Sequence, residues 1–144
     1  MDSPLLLAQL VLVSALAGLC WTVQLAVYPL FARLIDAMRP EDFRAYHAAY
    51  TRAMGWVAGP LMTLELAAAS ACVAMAKTSP TAWAGLGLVL AIWALTFVLI
   101  VPAHVRLQAS PDLATARRID RLHRLRTALW IARAALLIAV VGGG

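Results

Sequence analysis

Prolines divide this 144-residue chain into four long apolar segments, at positions where helices can begin. Proline suits the first position of an α-helix because it lacks the amide hydrogen that would find no acceptor there. Pro4, Pro80 and Pro111 each follow a serine, a good N-terminal cap, and Pro40 precedes two acidic residues that favour the positive end of a helix dipole. The chain is therefore predicted to form four helices. Their expected bounds are 4–35, 40–77, 80–109 and 111–141.

The composition places these helices in a membrane. Hydrophobic residues make up 63% of the chain and charged residues 13%, against about 45–50% and about 25% in soluble proteins. Since about 20 apolar residues cross a bilayer, the chain has room for four spans. We predict an all-α integral membrane four-helix bundle that forms one four-span domain over residues 1–144. Residues 142–144 are expected to fray, and the first segment to be a retained span rather than a cleaved signal peptide.

The basic residues predict the orientation of the helices. They cluster around the first and third connections, whereas the second connection holds only Lys77. Because cytoplasmic connections are enriched in Lys and Arg, we expect both termini on the outer side of a bacterial inner membrane. The net charge of +5 then reflects topology, and no nucleic-acid partner is expected. Helices two and four exceed the length of a span and should extend on the cytoplasmic side.

Three further prolines, Pro29, Pro60 and Pro102, fall inside helices one, two and three. Each frees a backbone carbonyl one turn earlier, and inside a membrane that carbonyl needs another partner. We therefore expect kinked helices and a partly opened cytoplasmic half. In the outer half, small residues such as Gly85 and Gly87 should allow close helix packing.

Two charged residues, Glu65 and Arg133, fall inside predicted spans, where a charge is costly and often functional. At 1.5 Å per residue they lie about 20 Å and about 12 Å from the cytoplasmic surface, so an extended arginine could reach the carboxylate. The same arithmetic puts Gln24 and Thr96 at about 13–14 Å. We expect one polar layer with a residue from each helix. The alternative is a Glu65–Arg133 pair that only fixes helix register.

Polar and aromatic side chains share one face of each helix, at intervals of three and four residues. Because the other faces carry plain aliphatic residues, this pattern predicts an interior cavity in the cytoplasmic half. The residues expected to bind a ligand there are Gln24, Tyr28, His47, Tyr50, Trp93, Thr96, His123 and Trp130. Those expected to act catalytically are Glu65, His104, Arg126 and Arg133. Core packing explains the two tryptophans equally well.

The histidines also allow a metal or haem site. His47, His104 and His123 are expected near one level, but no single helix carries ligands at a metal-binding spacing. Cys20 and Cys72 differ by about 10 Å in expected depth, which argues against a disulfide. The sequence identifies no cofactor.

Several segments together resemble a known group of proteins. They are residues 21–24 (WTVQ) and 28–31 (YPLF), Tyr46-His47, residues 59–62 (GPLM) before Glu65, residues 101–104 (VPAH), and Arg126-Thr127 before Trp130 and Arg133. In these motifs the chain resembles small, mostly uncharacterised bacterial four-helix membrane proteins and, more distantly, the anthrone-oxygenase-like family. The bacterial group usually carries Asn-Trp where this chain has His123 and Arg124. The oxygenase resemblance implies oxidation of a reduced polycyclic aromatic by dioxygen.

The sequence favours a membrane enzyme, oxygenase- or isomerase-like, that acts on a lipophilic substrate. In this hypothesis Glu65 or His104 is the acid or base, and Arg126 and Arg133 stabilise an oxyanion. The alternatives are a haem- or metal-binding electron-transfer protein, a small transporter and a structural membrane subunit. A carrier with only four helices would need to dimerise, so a homo-oligomer stays open.

Overall fold

The computed structural model describes residues 4–142, and over this range the chain forms four long helices and no strand. All four are long and apolar enough to cross a membrane, so the predicted all-α membrane bundle is confirmed. The bounds are Pro4–Ala37 for α1, Pro40–Met75 for α2, Pro80–Ala109 for α3 and Leu113–Gly142 for α4. The serine expected to cap α1, Ser3, and two of the three terminal glycines lie outside the described residues.

The connections contain the helix caps. Ser79 caps α3 through its hydroxyl, which accepts a hydrogen bond from the Ala82 amide at 3.3 Å. Helix α4 begins two residues later than the Ser110-Pro111 motif suggests. Asp112 is its cap instead, since the Asp112 carboxylate accepts a bond of 2.7 Å from the Thr115 amide. A carboxylate is a good cap because it also complements the positive end of the helix dipole.

Two of the three internal prolines are preceded by a π-helical turn. In α1 the wide turn covers Val23–Val27, just before Pro29, and in α3 it covers Leu95–Ile100, just before Pro102. A π turn inserts one extra residue into the helix, which accommodates the hydrogen bond that proline cannot make. Helix α2 continues as an α-helix through Pro60. The helices are therefore distorted where α1 and α3 approach the same end of the bundle.

The helices are arranged in a ring in chain order. Each packs against its neighbours in sequence and α1 packs against α4, so α1 faces α3 diagonally and α2 faces α4 diagonally. The connections at 38–39 and 110–112 form what we call the arginine-rich end, and the connection at 76–79 forms the lysine end. Charged residues of α2 and α4 concentrate in their first turns, so both helices extend beyond a span at the arginine-rich end.

Two apolar clusters form the core, one toward each end. Leu16, Ile92 and Trp130 belong to the cluster nearer the lysine end. Phe31, Phe43 and Ile119 belong to the one nearer the arginine-rich end. Buried polar side chains lie between and beside these clusters, where all four helices face inward. The core thereby holds the candidate site in a rigid apolar frame.

Candidate functional site

The two charges predicted inside the membrane form an ion pair across the diagonal of the bundle. Arg133 on α4 donates to Oε1 of Glu65 on α2, from Nη2 at 2.9 Å and from Nε at 3.1 Å. Both side chains are buried, with 4% and 0% of their surfaces exposed. Both bonds reach the same oxygen, and Glu65 Oε2 has no hydrogen-bond partner among the described residues. Pairing offsets the cost of burying two charges and ties α2 to α4.

A glycine on α3 provides the space for this guanidinium. A Cβ atom on Gly85 would lie 2.7 Å from Arg133 Nη1 and 3.2 Å from its Cζ. Gly85 thus accommodates an arginine from α4, whereas the sequence suggested close packing of helix backbones. The same expectation for Gly87 is wrong, because an added Cβ there would meet nothing within 4 Å.

The other two members of the expected polar layer make different contacts. Gln24 donates from Nε2 to Asp120 Oδ1, and its Oε1 lies 3.1 Å from His123 Nδ1. Thr96 donates to the carbonyl of Ile92 in its own helix at 2.7 Å. His123 precedes Arg133 by ten residues, which is about 15 Å along α4. The expectation of a single four-residue layer is therefore wrong, because residue counting cannot fix the register between α1 and α4.

A histidine pair joins α2 to α3 near the arginine-rich end. His47 Nε2 and His104 Nδ1 are 2.9 Å apart, and either nitrogen can carry the shared proton. On its other side, His104 Nε2 lies 3.5 Å from the Tyr28 hydroxyl. Phe31 packs edge-on against both imidazole rings. The pair is thus held in place by two helices and an aromatic contact.

The third histidine does not join this pair. His123 packs edge-on against Tyr28, with ring centroids 4.6 Å apart, and contacts Gln24. Within residues 4–142, no group of three or more His, Cys, Asp or Glu side chains is arranged to hold a metal ion. Cys20 and Cys72 are both free thiols. The residues of the expected metal or haem site therefore divide between two hydrogen-bonded clusters.

A cavity of about 380 Å³ lies between α2 and α3 at this level. We call it the Arg126 cavity. Five of the predicted site residues line it, namely Tyr28, Tyr50, Thr96, His104 and Arg126. Seven do not, namely Gln24, His47, Glu65, Trp93, His123, Trp130 and Arg133. Trp130 is fully buried in the apolar core, which explains its absence from the wall.

Arg126 is the unusual residue of this cavity. Only 9% of it is exposed, and its Nη2 lies 3.3 Å from the sulfur of Met62. Its Nε has no hydrogen-bond partner among the described residues. None of the residues lining the cavity is an aspartate or glutamate. A buried guanidinium without a carboxylate strongly favours an anion or a polarisable oxygen beside it.

Asp120 and Gln9 are polar residues of the site region that the sequence patterns did not single out. Asp120 lies three positions before His123, which places both on one face of α4 beside Gln24. Gln9 is 1% exposed, although it lies in an apolar stretch. Helical spacing could have found Gln9, since the buried residues Gln9, Val13, Leu16 and Cys20 continue the stripe that contains Gln24.

Comparison with known proteins does not extend the functional argument. The chain matches no protein-family model, no curated protein and no solved structure. The structure agrees with a small four-helix membrane protein, and nothing in the comparisons supports the anthrone-oxygenase resemblance. The site itself therefore carries the functional argument.

Proposed function

We propose that this protein is a membrane enzyme that binds a lipophilic molecule with an acidic hydroxyl, a phenol or an enol, in the Arg126 cavity. The observation that carries the proposal is the buried Arg126 guanidinium, which lacks a carboxylate partner and faces a largely apolar cavity. The oxygen of a phenolate or enolate would supply the missing negative charge.

The position of the cavity fits a ligand that arrives from the bilayer. Its walls between α2 and α3 include Phe97 and Val105, residues that are 54% and 64% exposed on the outer surface of the bundle. Gly55 and Gly59 form part of the α2 wall, and neither would meet another atom within 4 Å if it carried a Cβ. A lipophilic molecule could therefore enter sideways, without crossing water.

His104 is the proposed base. Its ring lines the cavity, and His47 fixes the orientation of that ring through the 2.9 Å bond. In the proposed step His104 takes a proton from the hydroxyl, or from a carbon next to a carbonyl, and the electron pair stays on the ligand as an oxyanion beside Arg126. Return of the proton to another carbon gives an isomerase. In an oxygenase, the carbanion form and dioxygen form a C–O bond, the peroxide takes the proton from His104, and the hydroperoxide loses water to leave a new carbonyl.

Glu65 has a different role in this proposal from the one that the sequence favoured. Its carboxylate bonds to Arg133 and does not line the cavity. We assign this pair to holding α2 against α4, as in the structural alternative. The haem or metal alternative has less support, because His47 and His104 bond to each other and His123 contacts Gln24. The site belongs to one chain, so the proposal requires no homo-oligomer.

Spectroscopy of a bound chromophoric phenol tests the proposal. A lipophilic hydroxyanthraquinone changes colour when its phenol ionises, so its pKa can be measured on purified protein in detergent. We expect binding to the protein to lower the phenol pKa by about one unit or more, where one unit corresponds to about 1.4 kcal/mol. Arg126→Gln should abolish this shift, because it removes the buried charge. Arg118→Gln removes a charge from the exposed face of the same helix and should keep it.

A second pair of variants tests the location without touching Arg126. Gly59→Leu should fill the cavity and weaken binding at least about tenfold, or about 1.4 kcal/mol. Gly18→Leu makes the same change on α1, where an added Cβ also meets open space, and should bind as the wild type does. Equal phenol pKa values in wild type and Arg126→Gln, or unchanged binding by Gly59→Leu, would refute the proposal.

A further inference from the structure

A second cavity, of about 310 Å³, lies at the lysine end of the bundle. We call it the Gln9 cavity. Its walls come from all four helices and are mostly aliphatic, and they include Leu6, Ala69 and Leu137. Its polar side chains are few: Gln9 on α1, Cys72 on α2, Ser79 and Thr81 at the start of α3, and Arg133 on α4. It shares no lining residue with the Arg126 cavity.

The amide of Gln9 is only half satisfied. Its Oε1 accepts a hydrogen bond from the Cys72 thiol at 3.7 Å, which leaves Nε2 as the free donor group. Gln9 is 1% exposed, and its Nε2 has no hydrogen-bond partner among the described residues. A buried donor without an acceptor costs about 1–3 kcal/mol. An acceptor oxygen in the cavity would recover that free energy.

Unlike the Arg126 cavity, the Gln9 cavity contains no unpaired charged side chain among its lining residues. Arg133 also lines the wall, but its guanidinium is already paired with Glu65 at 2.9 Å. The site therefore holds no net charge, and a charged ligand would lose its hydration without gaining a counter-ion. A neutral molecule with a hydrogen-bond-accepting oxygen fits these walls best.

We infer that the Gln9 cavity binds a neutral lipophilic carbonyl compound, whose oxygen accepts a hydrogen bond from Gln9 Nε2. Such a carbonyl can belong to a quinone or to an acyl ester. Both have apolar bodies that suit the aliphatic walls, and both dissolve in the bilayer. This inference does not depend on the function proposed for the Arg126 cavity.

Cys72 is a natural reporter of occupancy. It lines the cavity and is partly exposed, whereas Cys20 is buried in the core. In a Cys20→Ala background, labelling of Cys72 by a membrane-permeant maleimide can be followed by intact mass. Three probes separate the possible ligands: a fully substituted quinone with a decyl tail, methyl decanoate and dodecane. The quinone has no free ring position for the thiol to attack.

We expect a carbonyl probe to slow labelling of Cys72 at least about fivefold at concentrations where dodecane has no effect. If only the quinone protects, the ligand is a quinone; if the ester protects equally, the ligand is an acyl ester or any carbonyl of that size. Gln9→Leu should remove the protection, because it keeps the volume and loses the donor. Thr22→Val, a polar-to-apolar change on the exposed face of α1, should retain it.

Equal protection by dodecane and the carbonyl probes would overturn the inference, since it would show that the cavity holds any acyl chain. The absence of protection by every probe would overturn it as well. Both comparisons use unmutated Gln9, so they do not depend on how well the Gln9→Leu variant folds.

Discussion

Two buried arginines on one face of α4 have different surroundings. Arg126 and Arg133 are seven residues apart, which is two helical turns or about 10 Å. Arg133 meets the carboxylate of Glu65, whereas Arg126 meets the sulfur of Met62 and an open cavity. The difference comes from α2, which presents a glutamate to one arginine and a methionine, three residues earlier, to the other. The side chains of α2 therefore decide that the charge of Arg133 is balanced and that the charge of Arg126 is not.

Substitution of Gly85 tests how tightly the Arg133 guanidinium is held. In Gly85→Ala, the new methyl group would lie 2.7 Å from Arg133 Nη1, so the guanidinium must shift within its buried pair with Glu65. We expect the free energy of unfolding in detergent to fall by about 1–3 kcal/mol, as for other overpacked cores. Thermal unfolding followed by circular dichroism measures the change.

The matched control lies two residues further along the same helix. Gly87→Ala adds the same methyl group where nothing lies within 4 Å. This variant should be as stable as the wild type or slightly more stable, because alanine favours a helix over glycine. If the two variants unfold at the same temperature, Gly85 does not hold the arginine as described.

At the scale of the helices, the π turn in α3 explains why Trp93, one of the seven predicted site residues outside the cavity, is absent from its wall. Trp93 and His104 are eleven residues apart, three regular turns, so an uninterrupted α-helix would place them on one face. The π turn at Leu95–Ile100 lies between them and inserts one extra residue, which rotates one side of the helix by about 100° relative to the other. Trp93 accordingly packs on Phe97, with ring centroids 5.2 Å apart, while His104 lines the cavity.

The cap of α4 should make the stability of this helix depend on pH. Hydrogen bonds from the amide and hydroxyl of Thr115 hold the pKa of Asp112 below its ordinary value, and the charge of Arg106 acts in the same direction. A carboxyl whose pKa is lower in the folded state adds stability above its unfolded pKa of about 3.9 and loses it as the pH falls further.

Comparison with Asp112→Asn isolates this contribution, because asparagine can cap the helix without titrating. We expect the wild type to unfold at a higher temperature than the variant at pH 7, and this advantage to disappear as the pH falls below about 3.9. Thermal unfolding of both proteins between pH 3 and pH 7 measures it. A difference that stays constant over this range would contradict the assignment of Asp112 as an ionised cap.

At the scale of the whole molecule, polar contacts connect the helices that face each other diagonally. Glu65 and Arg133 join α2 to α4, and Tyr28 approaches His104 from α1 to α3. Neighbouring helices in the ring also share polar contacts, such as that of His47 with His104. Because the diagonals cross the interior, the contacts along them are removed from lipid. The two cavities described above lie toward opposite ends of the bundle.

The orientation of the bundle in the membrane is a prediction that labelling can test. We propose that the arginine-rich end faces the cytoplasm of a bacterial inner membrane, because Lys77 is the one basic residue near the other end. In a protein without Cys20 and Cys72, a cysteine at Thr78 should react with an impermeant maleimide in intact spheroplasts. A cysteine at Arg118 should react only after lysis. The reverse pattern would show the opposite orientation.

Much of the fold could be predicted from the sequence, because local chemistry decides it. Proline and capping residues locate helix starts, and hydropathy over about 20 residues decides whether a helix can cross a bilayer. The Glu65–Arg133 pair could also be predicted, because a long arginine side chain can span an error of several ångströms in the estimated depth of either residue. Thus the number of helices, their membrane character and the pairing of Glu65 with Arg133 follow from the chain alone.

The tertiary structure decided the contacts that depend on register between helices. A shift of one helical turn along α4 would exchange the partners of Gln24, and the π turns displace Trp93 from the cavity wall. Whether Arg126 meets a carboxylate depends on how all four helices pack together. The sequence of any one helix does not contain that information. For that reason the sequence determined that this protein has a polar interior, and only the packed bundle decided which of its polar groups remain free to bind a ligand.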